Sequence, residues 1–383
     1  MRVLIVRYDA IGDYILFRHV LAALSRAPGF ARAQLTLLGN GAWRNLFETL
    51  DTDCVAEAVW CKPGLIARGA VDNLLPNILQ QTPQRRQARA ELSAKLGQTP
   101  WDVMLNLQWN RDPLFESLLA TWPAQRRIGV RTGLPSDRNY GELLEDNTSS
   151  TFIFERNSGL AQQLLDGNGL ATAPSVPVAA LPASPLAANG VRPGCYAAFF
   201  TGASHWTKRW PLTRMWAVAR ELALARGLRP VLLGGPGDRR YPRGEAVETQ
   251  PKGMIDLRGE LTLSQTWRAI SEAALVVTND TCAFHMAAAA AVPCVCPVNG
   301  LAGRNVFWPY PAHMGLPSRV LDPGPVPPWT AHSLVTRQLA LAAALRRITV
   351  ADVLREAQTL LNDVHYPKAG DSPATQHQLL NLR

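Results

Sequence analysis

The sequence predicts two α/β domains, each a doubly wound parallel sheet, facing each other across a central cleft. Three observations predict it. Apolar runs of strand length alternate with segments of helical spacing, an alternation that implies parallel pairing. The alternation stops from Ala171 to Gly194, where Pro, Ala and Ser dominate, and then restarts. The chain has 383 residues, 47% hydrophobic and 18% charged, which is long for one core and apolar enough for two.

The elements follow in order. VLIVRY is a short apolar strand, and YILFRHVLAALSRA continues with helical spacing. AQLTLLGN is a second strand, GAWRNLFETL a helix and CVAEAVW a third strand. PQRRQARAELSAKL is a polar, arginine-bearing helix, WDVMLNLQ a strand, DPLFESLLATW a helix and RRIGV one more short strand. After the linker come the strand CYAAFFTG, the helix RMWAVARELALARGL and the strand RPVLLGG. LSQTWRAISEA and HMAAAAA are helices around the strand ALVVTND, and VPCVCPVNG is the last strand before a long helical stretch. The expected domains are 1–178 and 190–345, with a helical tail at 346–383.

Lys and Arg number 39 against 30 Asp and Glu, a net charge of +9 that favours anionic partners. No zinc-finger or RNP-type pattern accompanies it, so nucleic acid is not the expected partner. The 6 cysteines show no CxxC pair and no His/Cys cluster, so neither a metal site nor a disulfide framework is expected. Arg7 and Asp9 interrupt the opening too soon for a signal peptide, and the most apolar later stretch carries His285 and two prolines. A cytoplasmic chain is expected.

In open α/β sheets ligands favour the carboxyl ends of the strands. After the first strand stands DAIGD, not the GxGxxG of a dinucleotide site. A carboxylate at that helix opening, Asp13 after Gly12, repels a phosphate but can take a proton from a hydroxyl. A plain helix cap explains it equally well. FFTGASHWTKRWP offers donors from Thr201, Gly202 and Ser204, then the cationic Lys208, a set suited to a departing diphosphate. A solvated polar loop is the simpler alternative. VVTNDTCAFHMAAAA places Asp280, Thr281 and His285 where a small-residue helix aims its amides at an anion, or merely caps itself. In LLGGPGD, Asp238 suits a ribose hydroxyl, and an ordinary turn explains it too.

Together these stretches resemble the family nine glycosyltransferases, which include the lipopolysaccharide heptosyltransferases. The hallmarks are RYDAIGDYILFRHVLAAL, TGASHWTKRWPLTRMWAVARELALARGLRPVLLGGPGD and LVVTNDTCAFHMAAAAAVP, in that order. The resemblance implies a GT-B fold of two Rossmann-like domains and an inverting, metal-independent transfer from a nucleotide sugar, with no cofactor. The donor, by this resemblance ADP-heptose, belongs to the C-terminal domain and the acceptor to the N-terminal one. Asp13 is implied as general base and Lys208 as the cation at the leaving diphosphate. Thr201, Gly202, Ser204, Asp238, Asp280, Thr281 and His285 are implied around the donor. An anionic glycan or glycolipid of the lipopolysaccharide core is the implied acceptor, with at most a peripheral contact at the inner membrane. Gly12, Lys62, Arg68, Arg85, Arg86, Arg111 and Arg127 are candidates to meet it, or form a solvated surface.

Two features depart from the family pattern. Cys282 stands at a usual glycine, and VNGLAGRNVFWPYP replaces a turn of the F-G-x-T-x-P kind. A nucleotide-sugar epimerase of the same fold and a catalytically silent binding protein are the competing readings.

Overall fold

A computed structural model describes residues 1–62, 82–165, 170–240, 250–300, 305–324 and 334–363. The chain forms two compact units, Met1–Thr172 and Ala173–Arg383.

Unit 1 is built on β1 (Arg2–Arg7), where Val3, Leu4, Ile5 and Val6 are all 0% exposed. A strand covered on both faces reads as an unbroken apolar run, which is why this one was legible. Its neighbours are β2 (Gln34–Asn40) and β4 (Trp101–Asn106), with Ile5 set between Leu37 and Leu105. β3 (Glu57–Cys61), β5 (Ala124–Val130) and β6 (Glu142–Leu144) complete a parallel sheet of order β3-β2-β1-β4-β5-β6. The helices are α1 (Ile11–Ile15), α2 (Arg18–Arg26), α3 (Arg44–Leu50), α4 (Pro83–Leu96), α5 (Pro113–Ala120) and α6 (Ile153–Leu164).

The sequence predicts one helix after β1, whereas the structure has two. The break has a visible cause. The buried Asn157 side chain donates to the Leu16 carbonyl (3.1 Å), and the Phe17 amide turns back to Tyr14 (3.0 Å). A carbonyl taken by a distant side chain releases the helix to change direction.

Unit 2 repeats the plan. Its strands are β7 (Tyr196–Phe200), β8 (Arg229–Leu233), β9 (Ile255–Asp256), β10 (Leu275–Thr278), β11 (Cys294–Pro297) and β12 (Ser318–Leu321). All pair in parallel, in the order β12-β11-β10-β7-β8-β9. Read from β9, this is the unit 1 order again, the doubly wound 3-2-1-4-5-6 arrangement. Its helices are α7 (Leu212–Arg226), α8 (Leu263–Ser271), α9 (Cys282–Ala289), α10 (Leu334–Leu345) and α11 (Val350–Asp363). The last of these packs on the unit: Val353, Ala357 and Leu360 enter the unit 2 core with Trp216, Leu232 and Val277. The short edge strands β6, β9 and β12 were not among the predicted elements. Among the described residues no helix is long and apolar enough to cross a membrane.

Candidate active site

In unit 2 the predicted residues gather at the carboxyl ends of β7, β8 and β10. One buried carboxamide organises them. Asn279, at the end of β10, donates to the carbonyls of Thr201 (2.9 Å) and Gly202 (3.2 Å) and accepts from the Trp210 amide (2.9 Å). It thereby fixes both ends of the loop that carries Lys208. Asn299, beyond β11, holds the middle by donating to the Thr207 carbonyl (3.0 Å). The loop backbone is thus satisfied inside the protein, and the Lys208 side chain is free to reach across. Its Nζ lies 2.7 Å from Asp280 Oδ2, with side chains 26% and 12% exposed.

Beyond Asp280, Thr281 is the N-cap of α9 and accepts from the Ala283 amide (3.2 Å). His285 is buried in the first turns, its Nδ1 2.8 Å from the Tyr310 hydroxyl. Burial pushes the imidazole down to about 4; the Asp280 charge opposes this and Lys208 adds to it. His285 is therefore neutral at physiological pH. Cys282, at the first position of α9, has its thiol pushed up to about 12, chiefly by burial, with Asp238 among the charges acting on it. The thiol carries no charge into the site.

Asp238 lies against the ends of β7 and β8. Its Oδ2 accepts from the Gly235 amide (2.9 Å). A Cβ at Gly202 would run into this carboxylate, and one at Gly234 would come within 2.8 Å of it. A side chain at either position would have to push this carboxylate aside, since it packs on bare backbone. Arg258, itself buried and paired with Asp256 (2.7 Å), donates to the Asp238 carbonyl (2.7 Å). Thr201 Oγ1 is buried without a hydrogen-bond partner among the described residues, while Ser204 is exposed.

In unit 1, Asp13 is half-buried in the first turn of α1, with Gly12 before it, and its Oδ2 accepts from the Ala10 amide (3.2 Å). It does close its helix, as the simpler reading held, and stands at the carboxyl end of β1 as well. Asp9 precedes it, paired with the buried Arg7 (2.8 Å). The basic residues named for the acceptor are spread. Lys62 is exposed and pairs with Glu91 (2.6 Å). Arg111 is buried, bonded to Asp137 (2.9 Å) and the Val130 carbonyl and lying 4.4 Å over the Tyr140 ring. Arg127 donates to the carbonyls of Leu119 (2.9 Å) and Trp122. The two arginines thus brace β5 and the end of α5. Arg85 and Arg86 lie in the first turn of α4, and Arg68 lies outside the described residues. Among the described residues no group of three or more His, Cys, Asp and Glu could hold a metal ion.

A model of glycosyltransferase family 9 (heptosyltransferase) matches residues 89–296, more than half of the chain. The chain belongs to glycosyltransferase family 9. It is a glycosyltransferase. The matched span holds Lys208, Asp238, Asp280 and His285; Asp13 precedes it. Among solved structures, a family 9 glycosyltransferase from Veillonella parvula is 18% identical over 95% of this chain and 98% of its own, with a TM-score of 0.66. The E. coli ADP-heptose lipopolysaccharide heptosyltransferase II is 20% identical over 95% and 99%, at 0.60. E. coli heptosyltransferase WaaC, solved with ADP-2-deoxy-2-fluoro heptose, is 16% identical over 95% and 100%, at 0.63. These likenesses support the fold, two Rossmann-like domains of GT-B type. No curated protein matches the sequence significantly.

Sequence reasoning missed several residues of this candidate site. Asn279 was visible as the neighbour of Asp280, but nothing in the pattern said that its side chain would tie two loops together. Asn299, Arg258 and Tyr310 act through partners 92, 20 and 25 positions away, which no local spacing reveals.

Proposed function

We propose that this glycosyltransferase moves a heptose from ADP-heptose to an anionic glycan or glycolipid of the lipopolysaccharide-core kind, with inversion and without a metal. The family description supports the sugar class. One observation carries the chemical reading: a cation held at 2.7 Å by Asp280, beside the opening of α9 and the Thr201 hydroxyl, which has no partner among the described residues. That combination of a positive head, amides and a hydroxyl suits a diphosphate that gains charge as it leaves.

In this reading the acceptor hydroxyl gives its proton to the Asp13 carboxylate as its oxygen bonds to the anomeric carbon. The bond from that carbon to the phosphate oxygen breaks on the opposite face, and its electron pair leaves with ADP. Lys208 and the α9 amides stabilise the added charge, and protonated Asp13 then returns its proton to water. A single displacement inverts the anomeric centre. Asp238 takes a ribose hydroxyl, and neutral His285 with its Tyr310 partner faces the sugar or its phosphates without adding charge. Lys62 and other exposed basic groups of unit 1 meet the anionic acceptor.

Calorimetric titration with ADP, UDP, GDP and CMP tests the donor assignment. ADP is expected to bind best, and Lys208→Ala to weaken it. Preference for another nucleotide would overturn the donor, and no binding of any would favour a silent scaffold. Release of a rearranged sugar from donor alone would favour an epimerase.

A further inference from the structure

The transfer reading leaves a second carboxylate beside Asp13 without a task. Asp9 follows β1 directly. Its Oδ2 sits 2.8 Å from Arg7, whose side chain is 1% exposed, while its Oδ1 is buried and has no hydrogen-bond partner among the described residues. The surrounding backbone is pinned. Trp43 Nε1 (3.1 Å) and Asn40 Nδ2 (3.2 Å) both donate to the Asp9 carbonyl, and Asn40 also donates to the Tyr8 carbonyl (3.0 Å). The next amide, that of Ala10, donates to Asp13 Oδ2. Both carboxylates therefore ride on one short, immobilised turn, one held by a cation and the other by an amide.

A buried carboxylate oxygen with no donor favours a proton over a charge. Burial pushes Asp9 up to about 7; Arg7 works against this, and the charge of Asp13 adds to it. Among the described residues, Arg7 and Asp13 are the charged groups that bear most on Asp9. From the packed elements, Asn40 and Trp43 are neutral, Arg18 on α2 is committed to Asp51 (2.7 Å), and burial keeps His19 uncharged. Past β4, Gln108 is neutral and Asp112 caps α5 through the Phe115 amide (2.8 Å).

We propose that Asp9 is a positioning residue for the general base: ionised, it raises the proton affinity of Asp13; protonated, it leaves Asp13 a weaker base. Asp9 thereby sets the acidic limit of transfer. The inference rests on the reading of Asp13 as the base. No proton need pass between the two. The acceptor's proton goes to Asp13, and Asp9 acts through its charge.

The test is the pH profile of kcat, with ADP-heptose as donor and deacylated lipopolysaccharide-core oligosaccharide as acceptor, for wild type and Asp9→Asn, Asp9→Glu and Asp13→Asn. Wild-type kcat should fall about three- to tenfold through pH ~7 as the base weakens. Asp9→Asn should stay at the lower rate on both sides with no break there, its KM for donor unchanged, and Asp9→Glu should restore a break. A purely structural role would shift folding or KM and leave the break in place. Carboxyl 13C titration of the full chain gives a readout without turnover: Asp9 should titrate lower in Asp13→Asn than in wild type, because the Asp13 charge is gone. An unchanged Asp9 titration overturns the inference. So does an inactive Asp13→Asn combined with a wild-type profile in Asp9→Asn, which leaves the base reading intact. A fully active Asp13→Asn instead removes the base reading itself.

Discussion

The two units share one strand order and put opposite chemistry at the same place in it. In unit 1 the first strand of the order, β1, runs into Arg7, Tyr8 and Asp9 and then an acidic helix turn, and its cation is buried against Asp9. In unit 2 the corresponding strand, β7, runs into Thr201 and Gly202, and its cation, Lys208, stays partly exposed. One strand end therefore presents carboxylates and the other a lysine. Topology decides where a site forms, and about ten residues after the strand decide what it does.

The sharpest way to break this comparison is Asp13→Ala. If proton removal belongs to unit 1, transfer should fall by about 10²–10⁴-fold while calorimetry finds ADP binding unchanged. A variant that loses binding and transfer together would erase the division of labour. Asn279→Ala comes next, since it strips partners from two carbonyls and the Trp210 amide at once. It should destabilise unit 2 by about 2–4 kcal/mol, from unmet buried hydrogen bonds, seen as a lower urea midpoint with unit 1 probes unmoved.

His285 sharpens the contrast through pH. Its imidazole is held below the unfolded value, so its contribution to stability is complete above about pH 6.5 and is lost as pH falls towards 4. The loss approaches about 3 kcal/mol, and urea titrations of His285→Asn between those pH values should show a flatter dependence than wild type. The smallest effect expected is Lys208→Ala, with ADP affinity lowered about tenfold or somewhat more by removal of one charge-assisted contact. Calorimetry measures it, and unchanged affinity would move the diphosphate elsewhere.

Much of this arrangement was legible because central parallel strands are unbroken apolar runs and their ends are where ligands meet the sheet. That is how Lys208, Asp280 and Asp13 were singled out, and the structure places all three beyond strand ends. The edge strands were not: β9 has two residues, and β12 is half-exposed along most of its length, so neither shows a strand's alternation or run. The break between α1 and α2 depends on Asn157, 141 positions from the carbonyl it takes. Arg111 read as a surface cation, yet Asp137, Val130 and Tyr140 draw it inside. Periodicity records which face is covered; it does not record which distant polar group answers a given side chain.

On the proposed donor assignment, the Lys208–Asp280 contact would turn nucleotide binding into an exchange of counter-ions. A diphosphate that takes Lys208 displaces a carboxylate 2.7 Å away, so little mobile salt is set free and ionic strength acts weakly on the affinity. On the same assignment, Asp280 would reclaim the lysine when the spent nucleotide departs, and no bare cation would be left behind. The same pair that would temper the grip on the donor would also ease the exit of the product, which favours turnover over storage.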